Sequence, residues 1–202
     1  MARRTQRELD TDIRKAMSEI VLEQGVAGIT LKEVARRTHS DINVLVRRFG
    51  TDEGAITYYT KQFDYFINEA LEISRPERLE PVELFTRLAT QFERALHLNK
   101  EMQEIMKWQL NINSKISRES ARRREQTLAP ILERFVAPIS DREVDPRALL
   151  AVLVAGMYYI TLRHERSTFC GIEFHTKAGR ALLVETMVRV ASAFLKDREQ
   201  EN

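Results

Sequence analysis

Apolar residues recur along nearly the whole chain at the three- and four-residue spacing of an amphipathic helix. In the first segment the apolar stripe includes Ile13, Met17 and Ile20, and Gly25 follows as a stop signal. No segment shows the alternation of a convincing strand, so the pattern predicts an all-α fold with about nine helices. The predicted helices cover about 6–24, 31–38, 42–48 and 52–74, one that begins at Pro81, and then about 100–110, 116–137, 146–164 and 176–197.

The second and third predicted helices are short and closely spaced. Thr30 and Glu33 form the pattern of a capping box at the start of one, Asp41 is a good N-cap for the other, and Gly50 ends it. Two helices of about this length, joined by a tight turn after a longer first helix, describe a helix-turn-helix. Such a motif places its second helix in the DNA major groove while the first crosses the backbone.

The composition is that of a globular protein, with 202 residues of which 43% are hydrophobic and 32 Lys+Arg against 30 Asp+Glu. Charge is uneven: residues 1–50 hold ten basic and seven acidic residues, a net of +3, and the remaining 22 and 23 give −1. A small basic segment on a near-neutral body suits contact with phosphate.

Cellular location is indicated by what the sequence lacks. A single cysteine, Cys170, allows no internal disulfide, and no apolar run follows the N-terminal arginines as in a signal peptide. The longest uncharged stretch, 148–162, would span about 22 Å as a helix, short of the roughly 30 Å of a bilayer core. We therefore expect a cytoplasmic protein with no membrane segment, in which this helix is buried in a core or an interface.

Motifs for catalysis and metal binding are missing from the sequence. There is no Gly-x-Ser-x-Gly, His-Glu-x-x-His or glycine-rich phosphate loop. His164, Cys170 and His175 are loosely spaced around one loop, and this spacing is not diagnostic of zinc. We expect no enzyme activity, no metal and no cofactor.

Residues 30–53 resemble the head motif of the TetR family of transcriptional regulators. The segments Ile-Thr-Leu-Lys-Glu-Val-Ala-Arg-Arg, at 29–37, and Arg-Arg-Phe-Gly, at 47–50, carry the likeness, and the pattern aligns without a gap. The positions that match are Thr30, Val34, Ala35, Leu45, Phe49, Thr51 in place of Ser, and Glu53. The resemblance implies a helix-turn-helix DNA-binding domain over 1–50 and an effector-binding and dimerisation domain over 51–202. It also implies a homodimeric repressor, released from a pseudo-palindromic operator by an unidentified small molecule.

Five positions depart from the family pattern, and one of them is Ser40 in place of an apolar turn residue. His39 replaces the turn glycine, a position suited to positive φ, and Asp41 replaces the capping serine. Val46 and Asp52 replace a tyrosine and a lysine that commonly donate to phosphate in the family. We expect weaker or differently placed DNA binding. The alternative is a dimeric small-molecule-binding protein whose degenerate head lacks specific DNA binding.

The predicted site residues fall into three groups. Asn43 can pair with adenine, Arg47 can contact guanine or phosphate, and Arg48 can contact phosphate. The complete DNA-binding set is Thr30, Lys32, Arg36, Ile42, Asn43, Val44, Arg47, Arg48 and Thr51. Aromatic and Met residues at helical spacing are more commonly core residues than ligand contacts. The ligand-binding candidates are Phe63, Phe66, Phe85, Phe92, Met102, Met106, Trp108 and Tyr159. The dimer-interface candidates are Ala151, Ala155, Gly156, Leu182 and Val188.

Overall fold

A computed structural model describes residues 5–64, 78–136, 145–163 and 167–196. The described residues form helices and connecting segments with no strand, and an isolated bridge joins Phe169 to Ile172. The all-α prediction is therefore confirmed. The helices are α1 Gln6–Gln24, a single 3₁₀ turn η1 Val26–Gly28, α2 Leu31–Thr38, α3 Ile42–Phe49, α4 Asp52–Asp64, α5 Pro81–Leu98, α6 Lys100–Asn111, α7 Lys115–Val136, α8 Pro146–Arg163 and α9 Lys177–Lys196.

Most helix starts follow local capping chemistry. The side chains of Thr30, Asp41 and Asn99 accept hydrogen bonds from the first turns of α2, α3 and α6. The capping box predicted at Thr30 is only half formed, because the carboxylate of Glu33 binds arginine side chains instead of reaching back to the cap. A complete capping box joins Thr5 to Glu8 at the start of α1, where none was predicted.

The long helix predicted over 52–74 is only partly covered by the structure. The described part is α4, Asp52–Asp64, and residues 65–74 of the prediction lie outside the described residues. None of the described helices is long and apolar enough to cross a membrane.

The chain divides into two compact units. The first contains Met1–Phe66 and Asn99–Arg124, and the second contains Ile67–Leu98 and Glu125–Asn202. The first unit is larger than the predicted 1–50 domain because α4, α6 and the start of α7 belong to it. The functional division into 1–50 and 51–202 stays a prediction.

The first unit has one continuous apolar core. Residues of α1, α2, α3 and α4 form it together with Ile105 and Trp108 of α6. Leu45 of α3 is completely buried in this core, which anchors the inner face of the short helix. The two eight-residue helices α2 and α3 depend on this packing, because helices of that length are not stable alone.

The second unit is built around α5. This helix packs mainly against α9 and also against α8, with Phe85 and Phe92 buried. Glu93 of α5 lies 3.2 Å from Arg180 of α9, and both side chains are largely buried. Burial raises the pKa of the Glu93 carboxyl, and the charge of Arg180 opposes this shift.

Candidate nucleic-acid interface

The turn between α2 and α3 is made by His39, which has φ 50° and ψ 39° in the left-handed region. The backbone N–H of Ser40 then donates to the carbonyl of Ala35 at 3.0 Å, which closes the end of α2. Asp41 starts α3 by accepting a hydrogen bond from the Asn43 N–H at 2.8 Å. Positive φ at His39 is confirmed, although the residue is not the glycine that such a position favours.

The outer surface of α3 combines polar and apolar groups that can reach base edges. Asn43 and Arg47 are exposed, and Ile42 and Val46 are each 43% exposed. The Nδ2 group of Asn43 donates to the Asp41 carboxylate at 3.0 Å. The guanidinium of Arg47 makes no hydrogen bond with another described residue, and Val44 is half-buried. An exposed amide, a free cation and two branched apolar groups are the types of side chain that read the major groove.

Arg48 has a different environment from its neighbour Arg47. Its guanidinium donates to the carboxylate of Asp10 and lies 5.3 and 5.5 Å from the ring centres of Phe49 and Tyr58. The hydrogen bond from Arg48 lowers the pKa of the Asp10 carboxyl. These contacts tie the end of α3 to α1 and α4, which indicates a positioning role for this predicted phosphate ligand.

The cationic side chains of α2 also differ in their exposure and in the carboxylates that they bind. Lys32 is exposed, and Arg36 binds Glu33 of the same helix with distances of 2.7 and 2.8 Å. Arg37 is mostly buried and binds both Glu33, at 2.8 Å, and Glu23 of α1, at 2.6 Å. Hydrogen bonds from Arg36 and Arg37 lower the pKa of Glu33 to about 2.

The first turn of α4 is hydrogen-bonded to the start of α2. The carboxylate of Asp52 accepts a hydrogen bond from the backbone N–H of Leu31 at 2.7 Å. The hydroxyl of Thr51 accepts one from the Gly54 N–H at 3.1 Å, so this DNA-contact candidate also caps α4. A Cβ on Gly54 would lie 1.9 Å from the carbonyl oxygen of Phe49, so only glycine allows this approach to the end of α3.

The ligand-binding candidates are distributed over both compact units. Met102, Met106 and Trp108 are buried in the first unit, where Phe63 is half-buried with its ring 5.3 Å from that of Tyr59. In the second unit Phe85 and Phe92 are buried. Tyr159 is 49% exposed, and Phe66 lies outside the described residues. Their role as a common ligand site stays a prediction.

The dimer-interface candidates lie on α8, which carries no charged residue over 148–162, and on α9. Ala151, Ala155 and Leu182 are exposed, and Gly156 and Val188 are half-buried. Val152 of α8, which is 68% exposed, and Val190 of α9, which is also exposed, belong to the same helices but were not among the sequence-predicted interface residues. The sequence does indicate an interface position at Val152, because this residue lies in the uncharged segment 148–162.

The loosely spaced metal candidates do not form a site within the part of the chain that the structure describes. Cys170 and His175 are exposed, and His164 lies outside the described ranges. Across those ranges no group of three or more His, Cys, Asp or Glu side chains could hold a metal ion. Cys170 instead has φ 50° in a tight turn that Phe169 and Ile172 close with two hydrogen bonds of 3.0 Å.

Comparison with known proteins gives a clear answer for the fold. No protein-family profile and no curated protein matches the sequence. Among solved structures, the chain is similar to a TetR-like transcriptional regulator from Rhodococcus sp. RHA1, with a TM-score of 0.69, 14% identity, and coverage of 94% of this chain and 99% of that one. It is also similar to a TetR-family transcriptional regulator from Streptomyces coelicolor, with a TM-score of 0.65, 14% identity and coverage of 96% and 91%. The fatty acid degradation regulator FadR from Bacillus halodurans aligns with a TM-score of 0.63, 11% identity and coverage of 96% and 97%.

Proposed function

We propose that this chain is a DNA-binding transcriptional regulator that acts as a homodimer. It has the fold of TetR-family transcriptional regulators, as the structural neighbours show. The proposed activity is repression: α3 of each subunit enters the major groove of one half of a pseudo-palindromic operator. A small-molecule effector then releases the protein from DNA.

The observation that carries this proposal is the outer surface of α3. Asn43 and Arg47 are exposed on a helix whose opposite side is fixed by the fully buried Leu45. Amide and guanidinium groups can each make two hydrogen bonds to a purine edge, and such a pair discriminates between bases by about 1–3 kcal/mol. The hydrogen bond from Arg48 to Asp10 of α1 holds the end of this helix in a defined orientation.

Dimerisation is proposed from the exposed apolar groups of α8 and α9. Ala151, Val152 and Ala155 occupy adjacent positions of α8, and Leu182 and Val190 are exposed on α9. A second copy of the same surface would remove these side chains from water. A dimer also presents two reading helices, which a short helix-turn-helix requires for a site of two half-sites.

The effector is proposed to act by differential affinity. A molecule that binds the DNA-free conformation better than the DNA-bound one shifts the population away from DNA, and DNA reciprocally weakens its binding. Met102 and Trp108 on α6 are candidate ligand contacts that share the first compact unit with the head. Phe85, Phe92 and Tyr159 are the candidates of the second unit.

The test is a selection of sheared genomic DNA on the purified protein, followed by rebinding of the recovered fragments across a salt series. Recovery of a pseudo-palindromic sequence that binds more weakly as salt rises is the expected result. A folded, dimeric protein that recovers no sequence above background would overturn the proposal. That outcome would favour a small-molecule-binding protein with a degenerate head, the candidate suggested by the acidic residues Asp41 and Asp52 and by Val46.

A further inference from the structure

The first backbone N–H of α2 belongs to Leu31, and it has an acceptor from a different helix. The first four N–H groups of an α-helix have no acceptor inside the helix. Thr30 caps the Glu33 N–H at 3.1 Å, and the Asp52 carboxylate takes the Leu31 N–H at 2.7 Å. A full negative charge from α4 therefore lies against the positive end of α2.

This end of α2 is also where the proposed function places DNA phosphate. In a helix-turn-helix the first helix of the motif crosses the DNA backbone, and helix N-termini bind phosphate through their free N–H groups. A carboxylate oxygen has the same acceptor role as a phosphate oxygen and the same sign of charge. The two anions cannot both accept the Leu31 N–H along its axis, and they repel each other at close range.

We propose that Asp52 is an internal competitor of the DNA backbone. Its carboxylate holds the Leu31 N–H in the DNA-free protein, and a phosphate must displace it before the start of α2 can contact DNA. The inference rests on the proposed function and adds a contact within the protein that lowers its affinity for DNA. It gives a physical cause for the weaker DNA binding expected from the sequence.

The competition links DNA affinity to the position of α4. Asp52 is the first residue of that helix, and the nearby Gly54 fits against the Phe49 carbonyl at the end of α3. Displacing the carboxylate changes the attachment of α4 to α2. By thermodynamic reciprocity, a change that moves the first turn of α4 away from Leu31 frees the N–H and alters DNA affinity.

The test compares Asp52→Ala and Asp52→Asn with a charge-matched control, Glu53→Gln. Glu53 is the next residue of the same turn, is exposed, and makes no side-chain hydrogen bond to α2. The probe is a mixed-sequence duplex of about 30 base pairs, so that no operator needs to be known. Binding is measured by fluorescence anisotropy over a salt series, with thermal melting of each variant as the measure of folding.

We expect Asp52→Ala to bind the duplex about fivefold more tightly than Glu53→Gln at low salt, because both variants lose one acidic charge but only Asp52→Ala frees the Leu31 N–H for a phosphate. The slope of log affinity against log salt should match that of Glu53→Gln, because the freed donor is an uncharged backbone N–H and adds no cation to neutralise a phosphate. Asp52→Asn should give an intermediate affinity, since its amide oxygen still accepts from Leu31. This variant also keeps the test decisive if Asp52→Ala does not fold.

Two results would contradict the inference in distinguishable ways. If the folded Asp52 variants bind the duplex no more tightly than Glu53→Gln, while the wild type binds DNA, Asp52 is not a competitor and the proposed function stands. If the wild type and all variants fold but bind no duplex even at low salt, the DNA-binding function itself is wrong, and the competition is wrong with it.

Discussion

The guanidinium of Arg48 donates a hydrogen bond to the carboxylate of Asp10, 38 residues earlier in the chain. This contact joins the end of α3 to α1, while the adjacent Arg47 is exposed and makes no hydrogen bond with another described residue. The two neighbouring arginines therefore differ: Arg48 fixes the end of the helix, and Arg47 is the one that the proposed function assigns to DNA.

Replacing these two arginines should separate stability from DNA binding. Arg48→Ala removes contacts with the rings of Phe49 and Tyr58, which are worth about 1 kcal/mol in folding free energy, and it also leaves Asp10 without its ion pair. Arg47→Ala should leave the free energy of unfolding unchanged, because the guanidinium of Arg47 is exposed and makes no hydrogen bond with another described residue. Urea unfolding of both variants checks the difference, and equal stabilities would show that the Arg48–Asp10 contact does not support the head.

The left-handed backbone at His39 predicts a stabilising substitution. A side chain in this region costs about 1–2 kcal/mol compared with right-handed backbone, and glycine avoids that cost but loses more entropy on folding. His39→Gly should therefore raise the free energy of unfolding by about 0.5–1 kcal/mol. Ser40→Gly is the matched control, because the backbone of Ser40 does not have positive φ, and it should be neutral or destabilising. A destabilised His39→Gly variant would show that the histidine side chain has a packing role.

The free energy of unfolding should depend on pH through the carboxyl group of Glu33 on α2. Its pKa is lowered from 4.5 to about 2 by hydrogen bonds from Arg36 and Arg37, so the folded state favours the carboxylate. The resulting stabilisation is complete above the unfolded pKa of about 4.5 and is lost as the pH falls from there towards 2. Glu33→Gln should be less stable than the wild type at neutral pH and lose less stability on acidification. Urea unfolding over this pH range measures both slopes, with Glu53→Gln as the control for lost charge. Parallel slopes in all three proteins would contradict the assignment.

A charge placed on the exposed surface of α8 should disrupt the proposed dimer. Val152→Glu would bury a carboxylate between the subunits, which is costly without a partner. Leu110→Glu is the matched control, since Leu110 is a similarly exposed apolar residue on α6 of the other compact unit. Sedimentation velocity should show a monomer for Val152→Glu and a dimer for Leu110→Glu and the wild type. A Val152→Glu variant that stays dimeric would place the interface elsewhere.

Local chemistry explains which features could be predicted from the sequence. The helix starts at Thr30, Asp41 and Asn99 depend on bonds within one turn, so their residue types are visible in a short window. The positive φ of His39 was also predictable, because the family-like turn has a glycine there.

Contacts between distant residues could not be predicted in the same way. Asp52 bonds to Leu31 across 21 residues, and at the sequence level it could be recognised only as a lost phosphate donor. Glu33 similarly matched the pattern of a capping box, but two arginines on its own helix bind its carboxylate more strongly than a backbone N–H does. The joining of α6 to the N-terminal core likewise depends on tertiary packing that periodicity does not specify.

The most direct test of the account is the affinity of α3 variants for the recovered operator and for a scrambled duplex of equal length. The wild type should bind the operator at least about a thousandfold more tightly than the scrambled duplex. Asn43→Ala and Arg47→Ala should each weaken operator binding about tenfold or more with unchanged melting temperatures. Folded variants that bind the operator as tightly as the wild type would show that α3 does not read the DNA sequence.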